Sequence, residues 1–204
     1  MIAKPKDQED SLQKATEEEA ISQKGIGFYR WRNPALQMYG VNYRYSPIIL
    51  EERDLSAASC DEEEKRAHAF AGYEGSGTLC AGDRAPEAPH LLDCVTGEET
   101  GIFNLLGTSW HTVLVFGSDS EVLENLTEFP MELVKTYVVC KPGTKLPDSH
   151  HHVTALLDST GYAHTAYRIK GESATIIIIR PDTFIGAIVK DYSGVERYFH
   201  KIFV

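Results

Sequence analysis

A dense run of hydrophobic side chains occupies residues 174–189, which are ATIIIIRPDTFIGAIV. Every side chain from 175 to 179 can be buried, and such an unbroken run is typical of a strand covered on both faces. An Arg-Pro-Asp turn at 180–182 interrupts the run, because proline lacks a backbone N–H and presets a turn. Residues 184–189 are apolar again. The stretch therefore predicts a central β-hairpin with helices on both faces.

The hydrophobic periodicity outside this hairpin predicts further strands and helices. The expected strands are His90–Asp93, Thr112–Phe116, Glu132–Cys140 and Ala155–Leu157. The expected helices are a short turn at Ile102–Leu106, one from Ser118 or Asp119 to about Phe129, one from Thr160 to about Ile169, and one that begins at Ser193. A β-α-β unit, a helix, a hairpin and a closing helix follow one another. This order predicts an α/β protein with a thioredoxin-like mixed β-sheet flanked by helices.

The sequence predicts three parts of the chain, of which the last is this domain. Residues 1–24 form a charged leader, 25–80 an extended, aromatic-rich arm with a linker, and 81–204 the thioredoxin-like domain. The arm interleaves aromatic side chains with arginines; its aromatic residues include Phe28, Tyr29, Trp31, Tyr39, Tyr43 and Tyr45. Such residues are typical of a segment that packs on a body or a second subunit. The alternative is an arm that lines a pocket for a flat aromatic ligand.

Charge and composition remove several classes of function. The net charge of −10 argues against a nucleic-acid partner, which needs a basic surface. The chain shows neither a secretory signal nor an apolar run long enough for a membrane span, so we expect a cytoplasmic protein without a membrane contact. The cysteines at 60, 80, 94 and 140 form no CxxC or zinc-like pair. We therefore expect free thiols and no bound metal.

Several side chains are candidates for chemistry, each beside a structural alternative. His111 precedes the first core strand, where we expect the working groups of a thioredoxin-like fold. His151 lies in a run of three histidines that can supply an acid or base, and His164 shares a helix face with Tyr167. Arg180 can anchor a phenolate or carboxylate, or pair with Asp182 or Asp158. The candidate substrate-binding residues are Tyr29, Trp31, Tyr39, Tyr43 and Trp110.

Three sequence blocks resemble a known domain. AGDRAPEAPHLLDCVTGEETGIFNLLGTSWHTVLVFG, DSTGYAHTAYRI and IIIIRPDTFIGAIV are similar to the C-terminal thioredoxin-like domain of FAD-dependent aromatic-ring hydroxylases, the phenol hydroxylase family. RNPALQMYGVNYRYSPIILEE resembles the segment that joins this domain to the catalytic part in the fungal branch. The family's GxGxxG flavin fingerprint is absent, so we expect no cofactor and no flavin hydroxylation.

GDRAPEAP also resembles the start of peroxiredoxins, which need a cysteine just after the first core strand. This chain has FGSDSEV there. We therefore expect neither a thiol oxidoreductase nor a peroxidase.

Two functions are compatible with this resemblance. The first, which we favour because the aromatic arm is retained without a flavin domain, is a free-standing, cofactor-independent enzyme or binder. It would act as a cyclase, isomerase or cycloaddition catalyst on a phenolic or quinonoid natural-product intermediate, in fungal secondary metabolism. The partner would be a small aromatic or polyketide- or terpenoid-like ligand, and the protein a homodimer. The alternative is a non-catalytic dimerisation or docking subunit of an FAD-dependent aromatic hydroxylase.

Overall fold

The computed structural model describes residues 41–53, 79–117, 120–144, 152–171 and 174–203. The strands in these ranges are β1 (Leu50–Glu51), β2 (Leu91–Asp93), β3 (Glu99–Thr100), β4 (His111–Phe116), β5 (Val134–Cys140), β6 (Val153–Asp158), β7 (Thr175–Ile179) and β8 (Ile185–Val189). The helices in the same ranges are α1 (Ile102–Leu105), α2 (Ser120–Leu126), α3 (Tyr162–Ala166) and α4 (Tyr192–Phe199).

One mixed sheet joins these strands in the order β1-β8-β7-β4-β5-β6-β2-β3. Strands β4, β5 and β6 are parallel, whereas β7 is antiparallel to β4 and forms a hairpin with β8. A parallel unit whose first strand pairs with a later antiparallel hairpin is the arrangement of the thioredoxin-like fold. The predicted α/β class, with a mixed sheet and flanking helices, is confirmed.

The hairpin is buried on both faces, as its sequence predicted. Ile176 to Ile179 are all inaccessible to solvent, and side chains that alternate along β7 enter two separate apolar clusters. Burying one isoleucine contributes about 2 kcal/mol relative to leaving it exposed. The turn and the unbroken run of isoleucines therefore fix both the position and the burial of these strands.

Helix α4 closes the second cluster. Asp191 caps its first turn by accepting a hydrogen bond from the Gly194 N–H at 3.0 Å. The buried face of the helix is formed by Val195, Tyr198 and Phe199. Gly186 lies in an irregularity of the β7–β8 ladder, where Ile179 pairs with Ile185 and Ile178 with Ala187. A Cβ at Gly186 would lie 2.6 Å from Cζ of Tyr198, so glycine there makes room for the ring.

The described part of the arm, residues 41–53, lies against the domain. β1 pairs in parallel with β8, and the Arg44 guanidinium makes two bonds to the Asp83 carboxylate, of 2.6 and 2.7 Å. The Tyr43 ring meets Phe184 edge-on, with centroids 4.7 Å apart. The expected packing of the arm on the body is thus seen for Tyr43. Tyr29, Trp31 and Tyr39 lie outside the described residues.

Two features of the fold differ from the sequence-based expectation. The helix predicted from Thr160 to Ile169 spans only residues 162–166, because Gly161 and Arg168 adopt positive φ angles of 71° and 56° on either side. The strands β1 and β3 were not predicted, since each has two residues and is defined by its pairing partner. No helix among the described residues has the length and apolar character needed to cross a membrane.

Candidate functional site

The three parallel strands end together at one edge of the sheet. The register pairs Phe116 with Val139 and Cys140 with Leu157, so β4, β5 and β6 finish side by side. Carboxyl ends of parallel strands are the usual place for ligand sites in open α/β sheets. Asp158 is the last residue of β6. This edge is therefore the first place to search for chemistry.

Asp158 and His164 form a hydrogen-bonded pair at this edge. His164 Nδ1 lies 2.8 Å from Asp158 Oδ2, and the backbone N–H of His164 donates to the same oxygen at 3.0 Å. The Asp158 side chain is fully buried and that of His164 is 11% exposed. The six-residue spacing allows the chain to turn through Gly161 and bring the start of α3 back onto the end of β6.

The carboxylate of the pair is kept ionised. Burial by itself would raise the pKa of Asp158, but the hydrogen bonds from the His164 backbone and imidazole and from the Ala163 backbone outweigh it. The pKa of Asp158 therefore stays below its ordinary value. Within the described part of the chain, Asp158 Oδ1 makes no hydrogen bond. An ionised carboxylate only accepts, so it holds the proton of His164 on Nδ1.

Aromatic side chains pack around His164. The Phe116 ring meets the His164 ring edge-on, with centroids 5.1 Å apart, and Tyr167 lies 5.7 Å from Phe116. The Tyr167 hydroxyl donates to the Pro86 carbonyl at 2.8 Å, and burial raises its pKa far above the ordinary value. Of the two predicted candidates on this helix face, His164 thus faces the carboxylate, whereas the Tyr167 hydroxyl is already bonded to the backbone.

A second group of polar side chains lies at the opposite end of the sheet. Thr112 pairs with Ile179, and one further step along each strand sets His111 opposite Arg180. Arg180 bonds Asp182 at 2.5 Å, which confirms one of its two predicted partners. We call His111, Arg180, Asp182 and Tyr198 the amino-end cluster, because it lies beside the amino end of β4.

His111 is buried among aromatic rings in this cluster. Its ring meets those of Tyr198, Phe199 and Phe203 edge-on, with centroids 5.5 to 6.0 Å apart. Burial, followed by the charge of Arg180, lowers the pKa of His111 from 6.5 to about 4. The imidazole is consequently neutral near pH 7.

The structure places His111 at the amino end of β4, away from the carboxyl edge of the sheet. Strand β4 begins at His111 and ends at Phe116, so the carboxyl edge lies at the other end of the strand. Trp110, the neighbouring candidate, donates from Nε1 to the Leu105 carbonyl at 3.3 Å, and Lys135 Nζ lies 3.5 Å from its ring centroid. The suggested pairing of Arg180 with Asp158 is not formed, because Arg180 lies near the amino end of β4 whereas Asp158 lies at the carboxyl edge.

The remaining candidates do not extend either site. His151 lies outside the described residues. Tyr43 is 44% exposed, and the Arg180 guanidinium lies 5.6 Å from its ring centroid. Within the described ranges no three His, Cys, Asp or Glu side chains come together as metal ligands would. Sequence reasoning did not single out Asp158 as the partner of His164, although both stand in the block DSTGYAH.

Three thiols are described. Cys80 and Cys140 are buried and Cys94 is half-buried. Burial raises the pKa of each of them above its ordinary value.

No protein-family model and no curated protein matches the chain. Solved structures do match. They include the thioredoxin domain of a thiol-disulfide oxidoreductase from Bacteroides vulgatus, 17% identical over 59% of this chain and 99% of that domain, with a TM-score of 0.44. They also include the 2-Cys peroxiredoxin of Plasmodium vivax, 11% identical over 60% of this chain and 95% of the peroxiredoxin, with a TM-score of 0.44.

A third match is aklavinone-11 hydroxylase in complex with FAD and aklavinone. It is 19% identical over 79% of this chain, with a TM-score of 0.49, and the chain spans 26% of the hydroxylase. At these identities the likeness concerns the fold alone. The chain is thus similar to thioredoxin-like proteins and to part of one FAD-dependent aromatic hydroxylase.

These matches correct one prediction. The sequence led us to exclude thiol oxidoreductases and peroxidases, but the solved structures similar to this chain include one of each. The exclusion depended only on the few residues that follow the first core strand. The exclusion is therefore withdrawn.

Proposed function

We propose that this chain moves protons on a small organic molecule, with His164 as the acid and base and Asp158 as the group that positions it. The observation that carries the proposal is the 2.8 Å contact between His164 Nδ1 and a fully buried carboxylate at the carboxyl edge of three parallel strands. Buried carboxylates orient catalytic histidines in this way in many enzymes. Ligands of open α/β sheets bind at the same edge.

The pair can complete a proton-transfer cycle. With its proton on Nδ1, His164 presents the lone pair of Nε2, and this nitrogen makes no hydrogen bond within the described residues. Nε2 takes a proton from a C–H or O–H of the substrate, and the Asp158 charge stabilises the imidazolium that forms. The same nitrogen then returns the proton to another substrate atom. Isomerisation or cyclisation of a phenolic or quinonoid compound needs such a group.

Deuterium exchange tests the proposal without a known product. The protein is incubated in D2O with a panel of phenols, quinones and enolisable ketones, and mass spectrometry records deuterium incorporated at carbon. We expect at least one compound to exchange with the native chain, and His164→Gln to lower that rate by about 100-fold or more. His200→Gln, a change of an exposed histidine, is the matched control and should keep the native rate. Equal rates for the native chain and His164→Gln would contradict the proposal.

A second candidate function is docking onto an FAD-dependent aromatic hydroxylase or onto a second copy. The observation that favours it is the arm, which the Arg44–Asp83 pair fixes to the domain while Tyr43 and Tyr45 stay 44% and 41% exposed. Tyrosine is enriched in interfaces. Size-exclusion chromatography and pull-down with a hydroxylase test it. Tyr45→Ser should weaken the complex, whereas Tyr162→Ser, a change of a tyrosine that is 51% exposed elsewhere, should not. A monomer that captures no hydroxylase would exclude this candidate.

A further inference from the structure

The buried hydroxyl of Tyr198 belongs to the amino-end cluster and has no role in the proton transfer proposed above. The Tyr198 side chain is fully buried, and its hydroxyl makes no hydrogen bond within the described residues. A buried polar group without a partner costs about 1–3 kcal/mol. Such a hydroxyl is usually explained by a ligand, a buried water or stored strain.

The groups around this hydroxyl are suited to an acceptor. The charges of Arg180 and Asp182 both act on Tyr198, and burial raises the pKa of its hydroxyl, which remains a proton donor. Arg180 carries five N–H donors in a planar fork, and its bond to Asp182 involves one nitrogen. The Asp182 side chain is 44% exposed, so water screens its pull on the guanidinium. An anionic oxygen can therefore share Arg180 with Asp182.

An aromatic wall and a strained turn accompany these donors. The Arg180 side chain is 20% exposed, and its guanidinium lies 5.6 Å from the centroid of the Tyr43 ring, which is itself partly exposed. Thr183, next to Asp182, has a φ of 71°, a conformation that a β-branched residue rarely adopts. Strained residues of this kind concentrate at functional sites.

We propose that Arg180 and Tyr198, with the wall formed by Tyr43, bind an aromatic ring that carries a carboxylate or phenolate oxygen. The anionic oxygen accepts from the Arg180 guanidinium and the Tyr198 hydroxyl. The ring of the ligand packs against Tyr43. This site lies at the opposite end of β4 from His164, so it is separate from the proposed proton-transfer site.

Benzoate is the probe, and benzamide is its neutral control. Benzoate added to the 15N-labelled chain at about pH 7.5 should shift the amide signals of residues 111, 180, 182–187 and 198 in a saturable manner. Benzamide should bind at least about 5-fold more weakly, because it lacks the charge that pairs with Arg180. His164→Gln should bind benzoate as the native chain does, which separates this test from that of the proposed function.

Tyr198→Phe distinguishes a ligand site from a structural hydroxyl. Removing a hydroxyl without a partner should leave the unfolding midpoint of the ligand-free protein unchanged or raise it, while benzoate binding weakens by about 5- to 10-fold. Tyr192→Phe is the matched control and should bind benzoate normally. Tyr192 lies on the same helix as Tyr198, but its hydroxyl already bonds the Glu128 carboxylate at 3.3 Å. Three results would each overturn the proposal: no saturable shifts, equal binding by Tyr198→Phe, or a lowered midpoint of ligand-free Tyr198→Phe, which would show that the hydroxyl is satisfied by a buried water.

Discussion

Acid should destabilise this protein through His111 before its carboxylates are protonated. His111 is 8% exposed and packs against three aromatic rings, and Arg180 lies just beyond the end of β7, next to the residue that pairs with Thr112. A protonated imidazole there would be both desolvated and next to a cation. These two effects lower the pKa of His111 from 6.5 to about 4. The histidine therefore links the packing of α4 to pH.

The size of the effect follows from this shift. A change from 6.5 to about 4, at 1.36 kcal/mol per unit, corresponds to about 3 kcal/mol. Between these pH values the unfolded chain binds the proton and the folded chain does not, so the free energy of unfolding falls as pH falls. The contribution is fully present above about pH 6.5 and is lost by about pH 4. For a domain of this size, about 3 kcal/mol is a large part of the total stability.

Urea unfolding at several pH values between about 7.5 and 4.5 measures the contribution of His111 to the free energy of unfolding. The native chain should lose about 2–3 kcal/mol across this range because of His111. His111→Phe keeps the ring contacts and removes the titrating group, so its free energy of unfolding should depend less on pH by that amount. Phe199→Leu, which weakens the same cluster without changing a titrating group, should lower stability equally at every pH.

Parallel pH profiles for the native chain and His111→Phe would refute this reasoning. Asp158 does not interfere with the test. Its pKa lies below its ordinary value of 3.8, so its protonation destabilises the protein only at lower pH. A steeper profile for Phe199→Leu than for the native chain would also contradict the assignment.

Three further substitutions test the packing that positions these sites. Gly186→Ala should cost about 1–3 kcal/mol in urea unfolding, because its Cβ would overlap the Tyr198 ring. Arg44→Ala should cost about 2 kcal/mol and speed amide exchange across residues 41–53, since Asp83 is buried and loses its cation; unchanged exchange would contradict the role of the pair. Thr183→Asn should raise the free energy of unfolding by about 1 kcal/mol, because asparagine tolerates the φ of 71°; a loss of stability would show that the threonine is not strained.

The sequence predicted the centre of the fold better than its edges. The isoleucine run of β7 and the Arg-Pro-Asp turn fixed the hairpin, because burial on both faces and a proline turn leave few alternatives. The two-residue strands β1 and β3 carry no periodicity of their own, and only their partners define them. Local signals therefore predicted the long elements and missed those that depend on pairing.

The sites show the same limit. His164, His111 and Arg180 were recognised as candidates by residue type, but the sequence did not show that β4 and β7 are neighbours. The pairing of Thr112 with Ile179 brings His111 to Arg180 across a long stretch of chain. Asp158 was named only as a possible partner of Arg180, and Tyr198 was missed, because the one follows the pattern of a strand end and the other that of a helix face. The role of Asp158 comes from its buried bond to His164, and that of Tyr198 from a buried hydroxyl without a hydrogen-bond partner among the described residues.

The imidazole 15N spectrum of His164 tests the centre of this account most directly. Histidine-labelled protein near pH 7 is compared with Asp158→Asn, and His164→Gln assigns the signal. If the ionised Asp158 carboxylate positions His164 as a base, the neutral ring carries its proton on Nδ1 and leaves Nε2 unprotonated. Asp158→Asn should then shift the population toward the other tautomer. A native ring with its proton on Nε2, or a spectrum that Asp158→Asn leaves unchanged, would contradict the account.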